Sequence, residues 1–360
     1  MTTIYAFGSN GSGQLALGHK EDVSVPEKVH TQERILFDSV NQLKAGGNHT
    51  LLLAANSIYC SGIVNHELSE WGDIGDKFVQ MKFSNDSGCT LPIVSCAASW
   101  EAILFTQQDK YGRSSMLYTV GTGNHGELGH GPNVTKLTKA QLVEEFPPFG
   151  LEIKDLAACV SHAVAVLSNG DVYGWGNGRK GQIGETKQIV YRPRKITGLG
   201  FRVVRAVCGR EFTCLFGDPE VGHLVVLGSD KWNLITAAPK IIPGWKDIGA
   251  GWGSIHVLMN NGNLVSWGRD DHGQLAPTGL PKISQIAVGS EHTLGLTMDG
   301  NVLAWGWGEH GNCGPVTSGG DVERRWNIIT ASCFTQPSVR FTGVGAGCAT
   351  SWIFAKFPDT

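Results

Sequence analysis

The chain has 360 residues, 49 of them glycine, with 41% hydrophobic and 17% charged residues and a formal net charge of −3. This composition supplies ample core material and many tight turns, as expected of an all-β chain of short strands. The basic residues form no run longer than Arg324-Arg325, which leaves no footprint for direct nucleic-acid binding. No stretch reaches the roughly 18–20 apolar residues of a membrane span, and the N-terminal residues lack a secretory pattern. A soluble protein of the cytoplasm, with the nucleus as a second location, is therefore expected.

In chain order, two kinds of segment alternate. The first kind is a strand ending in glycine and followed by a glycine-rich loop, at residues 4–15 (IYAFGSNGSGQL). The second is a small-residue step into an apolar run, at 45–53 (AGGNHTLLL). A degenerate loop segment at 58–62 (IYCSG) leads to the step at 96–105 (CAASWEAILF), then the loop at 117–128 (LYTVGTGNHGEL). The step at 158–166 (ACVSHAVAV) is followed by the loop at 172–183 (VYGWGNGRKGQI), and the step at 207–215 (VCGREFTCL) by an eroded strand at 225–228 (VVLG). Steps at 249–257 (GAGWGSIHV) and 288–296 (VGSEHTLGL) alternate with loops at 264–275 (LVSWGRDDHGQL) and 302–313 (VLAWGWGEHGNC), and a last step stands at 345–353 (GAGCATSWI).

That makes seven copies of each kind. Asn169-Gly170, Asn261-Gly262 and Asp299-Gly300 lie between step and loop, where a two-residue turn with positive φ at both positions would join an antiparallel hairpin. One such blade cannot bury its apolar face alone, but stacking around an axis can. The chain opens on a loop segment and closes on a step, so pairing its two ends completes the seventh unit and removes the sheet edges. The expected fold is an all-β, seven-bladed propeller closed by its N- and C-terminal segments, with residues 1–360 as a single domain. Residues 67–76 and 231–235 predict irregular blades, and 131–150 and 316–341 read as insertions or long connections.

The pairing of AGGNHTLLL with FGSNGSGQLALG resembles the regulator-of-chromosome-condensation repeat, in register along essentially the whole chain. The opening residues 4–11, the continuation 19–26 (HKEDVSVP) and 46–49 (GGNH) are similar to the branch of that family associated with Elongator and diphthamide synthesis. This resemblance implies a non-catalytic adaptor that binds a small cysteine-liganded zinc or iron electron-carrier protein as a heterodimer. Through it the chain would support Elongator-dependent modification of tRNA wobble uridine and diphthamide biosynthesis. The alternative is the family's activity as a guanine-nucleotide exchange factor for a Ran-type GTPase. Asn48 and Ser161 stand at two places where that activity would be expected to use aspartates.

Other chemistry is not indicated. Residues 121–126, 176–181 and 306–311 each match G-x-G-x-x-G, but a dinucleotide site uses that loop once, ahead of a helix, whereas these copies keep phase with the repeat. His49, His162 and His292 share one repeat position, as packing residues do, and the nine cysteines lack a C-x-x-C pair and read as buried free thiols. No catalytic residue, cofactor or metal ligand is assigned.

The residues just before the recurring histidine position are expected on a loop at one end of the channel: Gly47-Asn48, Ser99-Trp100, Val160-Ser161, Arg210-Glu211, Trp252-Gly253, Ser290-Glu291 and Cys348-Ala349. Trp100, Arg210, Glu211, Trp252 and Glu291 are surplus to the repeat and are the first candidates for partner binding, because exposed Trp and Arg dominate interface energetics. The competing reading makes the indoles a plug of the channel. Trp232, His272 and Trp307 are further loop candidates, whereas Trp175, Trp267 and Trp305 recur before a strand-ending glycine and read as core.

Overall fold

Alternating apolar and small residues turn the segments into strands, and these hydrogen-bond into seven separate antiparallel sheets, the blades of an all-β propeller. The computed structural model describes residues 2–32, 40–64, 74–83, 91–185, 187–315, 320–330, 334 and 339–357. The chain begins with β1 (Thr2–Gly8) and β2 (Val23–Lys28). The second blade holds β3 (Val40–Ala45), β4 (His49–Ala54), β5 (Ser57–Gly62) and the short β6 (Val79–Gln80). The third holds β7 (Ile93–Ala98), β8 (Ala102–Gln108), β9 (Ser114–Thr122) and β10 (Lys136–Leu142). The fourth holds β11 (Ile153–Cys159), β12 (His162–Leu167), β13 (Val172–Asn177) and β14 (Ile189–Ile196).

The fifth blade, β15 (Arg205–Cys208), β16 (Phe212–Phe216) and β17 (Leu224–Gly228), has three strands. So does the sixth, β18 (Trp245–Ala250), β19 (Ser254–Met259) and β20 (Leu264–Gly268). The seventh has β21 (Ile283–Val288), β22 (His292–Thr297), β23 (Val302–Trp307) and β24 (Asp321–Ile328). Finally β25 (Arg340–Ala346) and β26 (Thr350–Lys356) pair with the start of the chain in the order β2-β1-β26-β25. The junction is in register from Thr2 opposite Lys356 to Gly8 opposite Thr350, so the ends of the chain close the ring as expected.

Three expectations need correction. Residues 131–150 and the described part of 316–341 are not mere connections, because they carry the outer strands β10 and β24, whose exposed faces conceal the strand period. The sixth blade lacks a fourth strand although its loop is intact; only a short stretch, broken by Pro277 and Pro281, separates that loop from β21. Third, at Asn169-Gly170, Asn261-Gly262 and Asp299-Gly300 only the glycine has positive φ. Gly170, Gly262 and Gly300 each donate to the carbonyl three residues back, giving three-residue loops instead. Asn169 and Asn261 accept through Oδ1 from the amide two residues on, which holds them in ordinary backbone geometry. The two-residue turn with both φ positive occurs at Ala55-Asn56, where the sequence carries no glycine.

The core lies between blades. Trp175, Trp267 and Trp305 are buried, and each indole N–H donates to the preceding blade, to the carbonyls of Glu127 (2.8 Å), Leu234 (3.0 Å) and Gln274 (3.2 Å). Six of the seven innermost strands carry a bulge near their start. The residue after it turns Gln42 and Asp155 toward the neighbouring blade, where they accept from the amides of Cys96 (2.9 Å) and Ala206 (2.8 Å). The innermost strands line a central cavity of about 990 Å³.

Because β1 is held by β26, deleting residues 343–360 should abolish cooperative thermal unfolding of the whole protein. A melting curve like that of the full chain would contradict closure by the termini.

Candidate functional site

At one end of the propeller, each blade turns from its innermost strand into the second through a short loop, and that loop is fixed by the same contact seven times. The carbonyls of Ala349, Asn48, Glu101, Ser161, Glu211, Gly253 and Glu291 accept from the amides of Ser9, Ile63, Thr122, Asn177, Ser229, Arg269 and Trp307 at 2.7–3.0 Å. The glycine before each donor has φ between +88° and +118°, and a Cβ there would overlap the accepting carbonyl. This register corrects one alignment. Gly121 pairs with Ala102, so the loop pair in the third blade is Trp100-Glu101, and Trp100 occupies the place held by Arg210 and Trp252.

Neighbouring loops are also tied to each other around the mouth. Gly47 N–H donates to the Trp100 carbonyl (2.9 Å), Trp100 to Val160 (2.8 Å), Arg210 to Trp252 (3.1 Å), Trp252 to Ser290 (2.7 Å) and Ser290 to Gly347 (2.9 Å). Backbone atoms do this work, so side chains at these positions are free to vary. Trp100 and Trp252 come from blades three apart in the ring, yet their ring centroids are 5.9 Å apart at an interplanar angle of 41°. Trp100 lies over Gly47, where an added Cβ would stand 2.6 Å from the indole. The indoles therefore roof the channel, and Trp100 remains 39% exposed, so plug and surface are properties of the same residues.

Beside them lies a smaller pocket of about 280 Å³, lined by Arg210, Glu211, Trp232, Trp252, Arg269 and Glu291 among others. The Arg210 guanidinium stands 5.4 Å from the Trp252 ring centre, while the Lys231 ammonium (5.1 Å) and Arg269 guanidinium (5.3 Å) stand at Trp232. Trp232 is 39% exposed and sits in a single 3₁₀ turn, Lys231–Asn233, with a left-handed φ of 67°. Asp230 Oδ1 supports that turn by accepting from the amides of Ile235 (2.7 Å) and Thr236 (3.1 Å). The eroded loop of the fifth blade thus builds part of the patch.

The acidic side is largely satisfied. Glu291 is only 6% exposed, and its carboxylate accepts from Arg269 and from Gln274 Nε2 (2.9 Å). Arg269 also forks onto Asp271 at 2.6 and 2.9 Å. Burial pushes the Glu291 carboxyl above its usual range, against the opposing hydrogen bond from Gln274 and the charge of Arg269. Arg210 and Lys231 have no carboxylate partner among the described residues.

Five expected residues, Arg210, Glu211, Trp232, Trp252 and Glu291, therefore meet in one place, with Trp100 tilted against Trp252 beside them. His272 and Trp307 do not line the pocket. His272 Nδ1 meets Asp321 Oδ2 of the next blade at 2.8 Å, a structural tie, and Trp307 packs edge-on against His310. Sequence reasoning missed Arg269 and Lys231. Arg269 occupies the slot after the strand-ending glycine, held elsewhere by Ser9, Ile63, Thr122, Asn177, Ser229 and Trp307, so the same search for departures from the repeat could have found it.

The recurring histidines are interior. His162 Nε2 meets Thr213 Oγ1 (3.0 Å) and His292 Nε2 meets Ser351 Oγ (2.8 Å), each in the following blade. Ile103 takes that place opposite His49, whose ring nitrogens have no partner among the described residues. Burial lowers His49, His162 and His292 to about 4 and His256 to about 3. In the glycine loops, Gln182 Oε1 accepts from Lys180 N–H (2.9 Å) and Glu127 Oε2 from His125 N–H (2.7 Å), so the chain itself uses amides that a phosphate would need. Cys60, Cys96, Cys208, Cys214 and Cys313 are buried free thiols, whereas Cys159 and Cys348 are half-buried at the channel; Cys89 and Cys333 lie outside the described residues. Among the described residues no three His, Cys, Asp or Glu side chains gather as a metal-ligand set.

Residues 3–53 and 169–216 match the regulator of chromosome condensation (RCC1) repeat, and residues 153–182 and 283–312 match a second version of the same repeat. An RCC1 repeat-containing protein of Schizosaccharomyces pombe is 30% identical, over 97% of this chain and 98% of its own. A secretion-regulating guanine nucleotide exchange factor of Bos taurus is 25% identical over 76% of this chain and 61% of its own length. The crystal structure of Prp20p from Saccharomyces cerevisiae superposes with a TM-score of 0.79 at 19% identity, covering 99% of this chain and 92% of that one, a likeness of fold.

The buried histidines set a pH dependence. Their folded pKa values lie below the unfolded value of 6.5, so the unfolded state binds more protons between about pH 6.5 and 4. Stability should be fully present above pH 6.5 and fall progressively toward pH 4, by up to about 3 kcal/mol for each such group. Melting temperature measured across this window should drop, and less so in His162→Gln. An identical profile in that variant would contradict the assignment.

Proposed function

The chain belongs to the regulator of chromosome condensation (RCC1) repeat family, and on that premise we propose that it is a non-catalytic adaptor that binds another protein through the indole and guanidinium patch at the mouth of the propeller. One observation carries this reading: Trp100, Trp232 and Trp252 converge with Arg210, Lys231 and Arg269 at positions the repeat does not need. Partly exposed tryptophan and arginine side chains gathered in one patch are the composition of an interface hot spot. Arg210 and Lys231, which have no carboxylate partner among the described residues, favour a partner with an acidic contact surface.

The partner we propose is a small cysteine-liganded zinc or iron electron-carrier protein, in a heterodimer supporting Elongator-dependent tRNA wobble-uridine modification and diphthamide biosynthesis. Support for this finer reading comes from the similarity of residues 4–11, 19–26 and 46–49 to that branch of the family. The two purified proteins should form a one-to-one complex, and Trp100→Ala or Trp252→Ala should weaken it about tenfold or more. A pair that does not associate overturns the proposal.

A second reading, a guanine-nucleotide exchange factor for a Ran-type GTPase, is favoured by the 25% identity to the bovine secretion-regulating exchange factor. It predicts faster nucleotide release from such a GTPase when this protein is added. A release trace that does not change removes it.

A further inference from the structure

The central cavity, about 990 Å³, is large enough for a small organic ligand, and one of its ends is roofed by the mutually tilted indoles of Trp100 and Trp252. Its wall is not uniform. Seven residues occupy equivalent places along the innermost strands, opposite Leu51, Leu104, Val164, Cys214, His256, Leu294 and Trp352. Six of them are Ala97, Ala157, Val207, Gly249, Ala287 and Gly345, all short and apolar; the seventh is Lys44.

The other charges of the cavity are engaged. Arg205 reaches Asp155 (3.6 Å) on one side and Asp247 (3.4 Å) on the other. Those carboxylates also accept from the amides of Ala206 and Ile248. Lys154 pairs with Glu152 at 3.1 Å. Lys44 has no carboxylate partner among the described residues, although it lines the same space. Polar side chains, Lys154, Arg205 and Lys356 among them, line other parts of the cavity, but level with Lys44 the wall is short apolar side chains and bare backbone, so at that level the Lys44 ammonium is complementary to a ligand with one negative charge and a compact apolar body.

We propose that the channel is a blind pocket, entered from the face opposite the indoles, that binds a small amphipathic monoanion such as an aromatic carboxylate or sulfonate, with Lys44 as its anchor. The small residues level with Lys44 leave room for the apolar body, and the indoles stand at the closed end, where they report on occupancy. This site is separate from the mouth patch, so it stands or falls independently of the adaptor reading.

The test uses the full chain and 8-anilinonaphthalene-1-sulfonate as the probe, read by probe fluorescence and by tryptophan quenching. Saturable one-to-one binding is expected, with Lys44→Met raising Kd at least tenfold while its melting temperature stays unchanged. Ala157→Leu, which fills the pocket without touching the charge, should also weaken binding. The double variant Arg210→Ala/Lys231→Ala serves as the control and should bind like the parent. Absence of saturable binding, undiminished binding by Lys44→Met, or loss of binding in the mouth variant would each overturn the proposal, the last by placing the anion on the outer patch.

Discussion

Each blade is locked at the mouth by a carbonyl that accepts the amide one residue beyond a strand-ending glycine. This contact joins the two halves of the repeat, since the carbonyl belongs to the step and the glycine and amide to the loop segment. It works only if backbone meets backbone without an intervening Cβ, which is why the glycine recurs at Gly8, Gly62, Gly121, Gly176, Gly228, Gly268 and Gly306. The degenerate segments in the second and fifth blades lose their glutamine loops and still keep this glycine. The three matches to a phosphate-loop pattern are the same residue seen from the standpoint of a different fold.

With the mouth held by backbone atoms and the blade interfaces held by buried side chains, most side chains exposed at the mouth are free of a structural task. Indole N–H groups of Trp175, Trp267 and Trp305, the imidazoles of His162 and His292, and the side chains of Gln42 and Asp155 cross from blade to blade in the interior. Most side chains at the mouth carry none of that burden, although Glu291 is held by Arg269 and Gln274 of the preceding blade. Glycine at position 47 and tryptophan at 100 or 252 make the same main-chain hydrogen bonds. Large aromatic side chains can therefore be placed there without disturbing the ring, and they both roof the channel and face outward.

The site was partly legible because the repeat defines what is ordinary. Trp100, Arg210, Glu211, Trp252 and Glu291 stood out as departures from it, and they do come together. Arg269 was overlooked although Trp307 was named from the same slot, because the residue after the strand-ending glycine differs between blades and a charged side chain there is a weaker departure than an indole. His272 and Trp307 lie apart from this cluster, and His272 is tied across a blade boundary to Asp321, a partner 49 residues away that no local pattern reveals. The outer strands β10 and β24 escaped notice because a strand exposed on one face and paired at one edge carries a weak apolar period.

By itself the sequence determined the number of blades, the way the termini close the ring, and the interior role of the recurring tryptophans and histidines. All of these follow from periodicity, which records the same local physics repeated in each blade. Only the tertiary structure decided that indoles from blades three apart meet above the channel, that the eroded loop of the fifth blade delivers Trp232 beside Trp252, and that Lys44 alone among the channel's equivalent positions is charged. Those relations depend on the curvature of the closed ring, which brings together residues far apart in the chain, and no period within a single repeat encodes them.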